Sequence, residues 1–304
     1  MVYDGLAVTR PGFDVGGLPP ESAAICAEWG EARDGHPFYG ERMDPAAVVR
    51  FWDGVASDYK GEGRGEMISA VLGTLREMGA LNGTVLDVGS GPGTFSLPFA
   101  ETAEKVVALD SSEKMLDGLM AKADDLGLSN VSTTLIDWND YVPRERHDLV
   151  FSSLCPGANS PASILRMEAA SKGKCAYVSS MNRDESVNFE VWRRLGRKYT
   201  YHGYNTGFPY RFLRSIGRKP FFCEISWVHT MDIEASELIE RTVRSFGIYG
   251  NLDGDDVMEA TTAAVHGRYG SGRISEDTTL RAGLLVWDVP GDGARGTAKY
   301  AGVD

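Results

Sequence analysis

The chain has 304 residues, of which 42% are hydrophobic and 24% charged, a composition typical of a soluble globular protein. Its formal net charge of −12 would repel phosphate backbones, which argues against nucleic acid as a partner. No apolar run approaches the roughly 18 to 20 residues of a membrane span, and the four cysteines form no CxxC pair. We therefore expect neither a membrane protein nor a metal site.

The N-terminal third divides into two parts. Residues 1–43 are rich in glycine, proline and charge, and we expect an irregular leader there. This segment lacks a basic stretch followed by an apolar one, so we expect no secretory signal and a cytoplasmic location. In residues 44–83, "DPAAVVRFWDGVASDY" and "EMISAVLGTLREMGAL" carry apolar residues at helical spacing, which predicts an N-terminal helical cap.

Short apolar runs then alternate with helical patterns. This order predicts a parallel sheet covered on both faces, with ligands bound at the carboxyl ends of the strands. The predicted strands are 84–88, 105–110, 131–137, 147–153 and 174–180, and the predicted helices are 94–102, 113–123 and 160–171.

The last third contains two more apolar runs, 221–232 and 279–291, separated by a mainly helical pattern. The predicted fold class is thus α/β, a doubly wound Rossmann-like seven-stranded sheet with an N-terminal helical cap and a mainly helical insertion before the last strand. We expect the ligand-binding core at 84–181, and the substrate-side insertions and final strands of the same domain at 182–291. Residues 292–304 are predicted to be a tail.

The glycine-rich stretch "VLDVGSGPGTF" at residues 85–95 follows the first predicted strand. It is not a Walker A loop, because no lysine follows in the required position. A nicotinamide fingerprint is weakened, because Thr94 stands where its third glycine should be and Gly93 comes one residue early. Asp87, two residues before the first glycine, would repel a pyrophosphate but suit a cationic ligand.

This stretch resembles motif I of the class I S-adenosylmethionine-dependent methyltransferases, in which an acidic residue precedes GxGxG. The resemblance covers residues 44–181 well and the rest of the chain in outline. It implies S-adenosyl-L-methionine as the cofactor and S-adenosyl-L-homocysteine as the product.

The segment "ALDSSEKML" follows the second strand. The resemblance implies that Asp110 binds the ribose hydroxyls and that Met115 lies where the family packs the adenine. Ser111 or Ser112 would cap the next helix. Alternatively, Asp110 is itself only a helix cap.

The third and fourth strands end in "IDWND" and "FSSLCPG". The resemblance implies that Asp137 accepts from the adenine amino group, that Trp138 lies beside the ring, and that Ser152 and Ser153 hold the methionine end. Asp137 as a turn residue and Trp138 as a surface aromatic are the alternatives. The complete set of predicted cofactor-binding residues is Tyr59, Asp87, Gly89, Ser90, Gly91, Gly93, Asp110, Ser111, Met115, Asp137, Trp138, Ser152 and Ser153.

The acceptor side is predicted from "KYTYHGYNTGFPYRF" at 198–212, whose aromatic residues and glycines suit a substrate wall or lid. His202 is the candidate base, because imidazole titrates near neutrality, and Tyr204 is a second catalytic candidate. A surface histidine among packing tyrosines is the alternative. Cys155 is expected to be a pocket cysteine, with reactive thiol chemistry left open.

The basic cluster 193–198 has two interpretations: its cations either close a helix or bind an acidic group of the substrate.

The function that the sequence favours is methyl transfer to a small-molecule acceptor. The alternatives are a protein or RNA acceptor, a non-catalytic S-adenosylmethionine-binding regulatory protein, and, more distantly, a nicotinamide oxidoreductase. The sequence does not indicate the oligomeric state.

Overall fold

One seven-stranded sheet organises the molecule. A computed structural model describes residues 18–37, 45–56, 64–181, 187–199, 205–249 and 251–291. Within them the strand order is β3-β2-β1-β4-β5-β7-β6, in which β1 to β5 are parallel and β7 lies antiparallel between β5 and β6. The strands are β1 (Thr84–Val88), β2 (Lys105–Asp110), β3 (Val131–Leu135), β4 (His147–Ser153), β5 (Ser171–Ser180), β6 (Phe221–Glu234) and β7 (Arg273–Asp288).

The described helices cover both faces of this sheet, so the predicted fold class is confirmed. They are α1 (Pro20–Asp34), α2 (Pro45–Val55), α3 (Gly65–Glu77), α4 (Ser96–Ala100), α5 (Glu113–Asp125), α6 (Pro161–Ala170), α7 (Val187–Arg194), α8 (Gly207–Ser215), α9 (Ala235–Phe246) and α10 (Gly254–Tyr269). None of these helices combines the length and apolar character needed to cross a membrane.

The two faces follow from the alternation of side chains along each strand. In β1, Val85 belongs to an apolar cluster shared with α3, α4 and α5. Leu86 and Val88 point the other way, into a second cluster formed with α1, α6 and α8. Both clusters include fully buried aromatic side chains, and together they fix the carboxyl ends of the central strands in place.

The strands β6 and β7 are longer than the rest of the sheet. Residues 282–288 of β7 pair with β5, whereas residues 273–281 continue past its carboxyl end and pair only with residues 226–234 of β6. This two-stranded projection packs with α7, α9 and α10 around a third apolar cluster centred on Trp192. We call these elements the ribbon subdomain. It stands beyond the carboxyl ends of the parallel strands.

The N-terminal segment differs from the expectation. Residues 1–43 were expected to be irregular, yet 20–34 form α1, which begins with Pro20 in the first turn and ends at Gly35. One side of this helix is buried, with Trp29 fully enclosed and stacked on Phe208 of α8 at a centroid distance of 6.0 Å. The apolar surface that Trp29 buries against the rest of the protein stabilises this helix, although the segment has no clear helical pattern of apolar residues. The expectation of an irregular leader, which rested on composition, is therefore wrong for residues 20–34.

Candidate functional site

The glycine loop joins β1 to α4 at the carboxyl edge of the sheet. Gly89 has φ +70°, a conformation that side chains rarely adopt, and a β-carbon there would overlap the Cys155 thiol. At Gly91, by contrast, a β-carbon would meet nothing within 4 Å. Ser90 between them is buried, and its hydroxyl finds no hydrogen-bond partner among the described residues. The predicted loop residues Gly89, Ser90, Gly91 and Gly93 therefore form a turn with open space on one side and an unused hydroxyl.

Asp110 ends β2 and clamps this loop. One carboxylate oxygen accepts the Gly91 amide at 2.8 Å, and the other accepts the Ser112 amide at 2.9 Å. Burial raises the pKa of the Asp110 carboxyl, while these backbone hydrogen bonds and that of Ser111 oppose the shift. The residue predicted to bind a ribose is thus in direct contact with the glycine loop.

Ser112, and not Ser111, caps α5. Its hydroxyl oxygen accepts the Met115 amide at 3.2 Å, and it donates its own proton to the Asp53 carboxylate at 2.6 Å. Asp53 comes from α2, and sequence reasoning missed it. The only signal was a carboxylate in the otherwise apolar run "FWDGV". Met115 is buried behind this cap, and Ser111 lies half-buried beside it.

Asp87 is buried and faces α4, where it accepts a hydrogen bond from the Ser96 hydroxyl at 2.6 Å. Burial raises its pKa to about 7, although the Ser96 hydrogen bond opposes the shift, and the nearby charge of Asp110 adds to it. The loop is therefore flanked by two interacting carboxyl groups.

The end of β3 supplies a turn and an indole. One oxygen of the exposed Asp137 accepts both the backbone amide and the side-chain amide of Asn139, at 2.7 and 3.0 Å. Trp138 is buried, contrary to its reading as a surface aromatic, and stacks on Tyr141 at 5.4 Å. The guanidinium of Arg166 lies 5.6 Å from its ring. The Trp138 indole nitrogen has no hydrogen-bond partner among the described residues.

The end of β4 lies directly beside the glycine loop. Ser152 is buried and donates to the Val88 carbonyl at 3.1 Å, Ser153 is half-buried, and Leu154 has φ +50°. Cys155 follows, and burial raises its pKa to about 12, with the charge of Asp110 contributing in the same direction. Its thiol therefore stays protonated at neutral pH, which removes the support for reactive thiol chemistry.

The structure thus brings the carboxyl ends of β1, β2 and β4 together around Gly89, Asp110 and Cys155. The predicted Tyr59, His202 and Tyr204 lie outside the described residues. The described part of the chain holds no cluster of three or more His, Cys, Asp or Glu side chains that could bind a metal ion. In the basic cluster, Arg193 and Arg194 both pair with the single carboxylate of Glu190 within α7.

Part of the chain is similar to known proteins. Residues 85–168 match a family model described as a methyltransferase domain. An uncharacterised protein of Haemophilus influenzae is 30% identical over 128 residues, which are 41% of this chain and 45% of that protein, so the chain spans less than half of the relative's length.

Two solved structures share parts of the fold. A protein of Bacillus halodurans C-125 has 18% identity and a TM-score of 0.48, covering 72% of this chain and 98% of the other. The magnesium protoporphyrin IX methyltransferase of Synechocystis PCC 6803, solved with bound S-adenosylhomocysteine, has 15% identity and a TM-score of 0.45, covering 73% and 83%.

Proposed function

We propose that this protein is a class I S-adenosylmethionine-dependent methyltransferase that binds S-adenosyl-L-methionine and methylates a small-molecule acceptor. The match of residues 85–168 to a methyltransferase-domain model supports this proposal. The observation that carries the proposal is the hydrogen bond between Asp110 and the Gly91 amide. It joins the predicted ribose acceptor to the glycine loop at the carboxyl edge of a parallel sheet, where ligands of this fold bind.

The residues present fit this cofactor. The Gly91 and Ser112 amides donate to different oxygens of Asp110, and the Ser111 amide also contributes. A carboxylate offers about four acceptor sites, so Asp110 keeps capacity to accept from a ribose hydroxyl. The unpartnered hydroxyl of Ser90 and the open space at Gly91 suit close approach of a polar ligand. When bound, the cofactor supplies an activated methyl group on a sulfonium. Asp137 and Trp138 would border its base, and Ser152 and Ser153 would border its methionine end.

The charge around the loop favours a cation over a dinucleotide. Burial is the main cause of the raised pKa of both Asp87 and Asp110; the charge of Asp110 adds to the shift at Asp87, and the charge of Asp53 adds to that at Asp110, so negative charge is already disfavoured at the loop. A pyrophosphate would add to this repulsion, whereas a sulfonium with an ammonium group would relieve it.

The acceptor would lie between the end of β4 and the ribbon subdomain. In-line methyl transfer mainly requires that the protein align the two reactants and exclude water. His202 stays the proposed base, with Tyr204 and Tyr59 as further contacts, for acceptors that must lose a proton. A protein acceptor is the second candidate.

Calorimetric titration of the purified chain with S-adenosylmethionine, S-adenosylhomocysteine and NADH tests the proposal. Binding of both adenosyl ligands with no heat from NADH is the expected result, and it would justify a screen of small acceptors. If a folded sample binds neither adenosyl ligand, the methyltransferase proposal is wrong. If they bind but no acceptor of any class is methylated, the non-catalytic regulatory alternative becomes the better description.

A further inference from the structure

The helix α2 is attached to the cofactor site by one acidic side chain. Among the described elements α2 packs chiefly against α5, and its Asp53 accepts the Ser112 hydroxyl at 2.6 Å. A second contact to the same oxygen comes from the Lys114 amide at 3.4 Å. Ser112 is the N-cap of α5 and Lys114 lies in its first turn, so both donors follow Asp110 closely in sequence.

Three features make the Asp53 contact specific. A hydroxyl-to-carboxylate bond of this length is charge-assisted and stronger than a neutral one. The Ser112 hydroxyl accepts from the Met115 amide and donates its single proton to Asp53, so both of its roles are fixed. The carboxylate also lies at the amino end of a helix, where the exposed amides and the macrodipole favour negative charge.

Ser112 links this contact to the predicted ribose site. Its backbone amide donates to Asp110 at 2.9 Å while its hydroxyl donates to Asp53, so one residue bridges the two carboxylates. The two charges also interact, since Asp53 contributes to the raised pKa of Asp110. A ligand at Asp110 would therefore lie beside the point at which α2 is fastened.

We propose that Asp53 is a positioning residue that latches α2 beside the ribose end of the cofactor site and thereby sets how long the cofactor product stays bound. This inference rests on the proposed function. Asp53 is half-buried, so that water can compete for its partners and the latch is reversible. Such a latch slows the release of S-adenosylhomocysteine without contributing to the chemistry of transfer.

The test compares Asp53→Ala with Asp53→Asn and with a control, Asp117→Ala. The control removes an exposed carboxylate from α5, the helix against which α2 packs. The first readout is the rate of S-adenosylhomocysteine dissociation by stopped-flow fluorescence. We expect Asp53→Ala to accelerate it at least about fivefold, the scale of one charge-assisted hydrogen bond at a partly exposed site. The dissociation rate of Asp53→Asn should lie between those of the wild type and Asp53→Ala, because its amide oxygen still accepts from Ser112. The rate of Asp117→Ala should match that of the wild type.

A second readout needs no ligand. Amide hydrogen exchange of residues 45–55 in the free protein should be faster in Asp53→Ala than in Asp117→Ala, while exchange in β1 and β2 stays unchanged. If the wild type binds S-adenosylhomocysteine but Asp53→Ala releases it at the same rate, the latch is wrong and the proposed function stands. If the wild type binds no adenosyl ligand, the proposed function is wrong, and unchanged exchange in α2 would overturn the latch as well.

Discussion

The thiol of Cys155 occupies the space in which a β-carbon of residue 89 would lie, so Gly89 and Cys155 touch across the ends of β1 and β4. Cys155 can approach the loop this closely only because residue 89 is glycine. It joins the glycine loop to the turn that follows β4, and it places two segments that are distant in sequence on one side of the proposed cofactor site.

Gly89→Ala should therefore destabilise the protein more than Gly91→Ala. Both positions have positive φ, where a side chain costs about 1 to 2 kcal/mol. Only at position 89 must the added methyl also displace Cys155. Urea unfolding of the two variants measures the difference, and equal losses would show that the contact with Cys155 contributes nothing.

Cys155 should resist alkylation in the native protein. Because burial raises its pKa to about 12, almost no thiolate exists at pH 8, and the buried Cys26, with a pKa of about 11, should behave in the same way. Peptide mass spectrometry after brief iodoacetamide treatment should find both modified only in denatured samples. Cys155→Ser provides the control for peptide assignment. Rapid native labelling at Cys155 would contradict the prediction.

Asp110→Asn should weaken S-adenosylhomocysteine binding by at least about 1.5 kcal/mol, the scale of a hydrogen bond to a charged group. The introduced carboxamide also places an NH2 donor against one of the backbone amides that now donate to Asp110, so the free energy of unfolding should fall as well. Calorimetry at a temperature where the variant is folded separates the two effects. Asp124→Asn, an exposed carboxylate near the end of α5, is the control. Unchanged affinity in folded Asp110→Asn would remove Asp110 from the site.

Asp87→Asn should make the protein more stable at pH 8 and less sensitive to pH. Burial raises the pKa of Asp87 from 3.8 to about 7, so folding favours the protonated form. Below pH 3.8 the group is protonated in both states. As pH rises toward 7, only the unfolded chain loses the proton, and stability falls by an amount on the order of a few kcal/mol. Urea unfolding at pH 4.5, 6 and 8 measures this slope. Parallel pH profiles for the two proteins would show that Asp87 is not titrating abnormally.

The strands and the loop were predictable because their signals are local. The apolar runs that became β1, β2 and β4 have the expected bounds, since each is short and bordered by glycine, charged or serine residues. The glycine loop was recognised from residues adjacent in sequence. The pairing of β7 between β5 and β6 was not predicted, because strand order and direction arise from contacts between distant segments.

The residues that sequence reasoning missed act through tertiary contacts. In the site, Asp53 reaches Ser112 across 59 positions, and in the core the Trp29 indole donates to the Asn159 side chain across 130 positions at 3.1 Å. Neither spacing leaves a periodic pattern. The burial of Trp138 in an apolar cluster formed by distant segments is likewise visible only in the folded arrangement.

The ribbon subdomain has a consequence for how this protein can diversify. Residues 226 and 281 are paired across β6 and β7, so most of the chain that forms the subdomain leaves and re-enters the sheet one strand spacing apart, about 5 Å. A segment with such closely spaced ends can change in length and sequence without altering the register of β1 to β5. The register of the strands that carry the proposed cofactor site therefore does not depend on the length or sequence of the segment between residues 226 and 281.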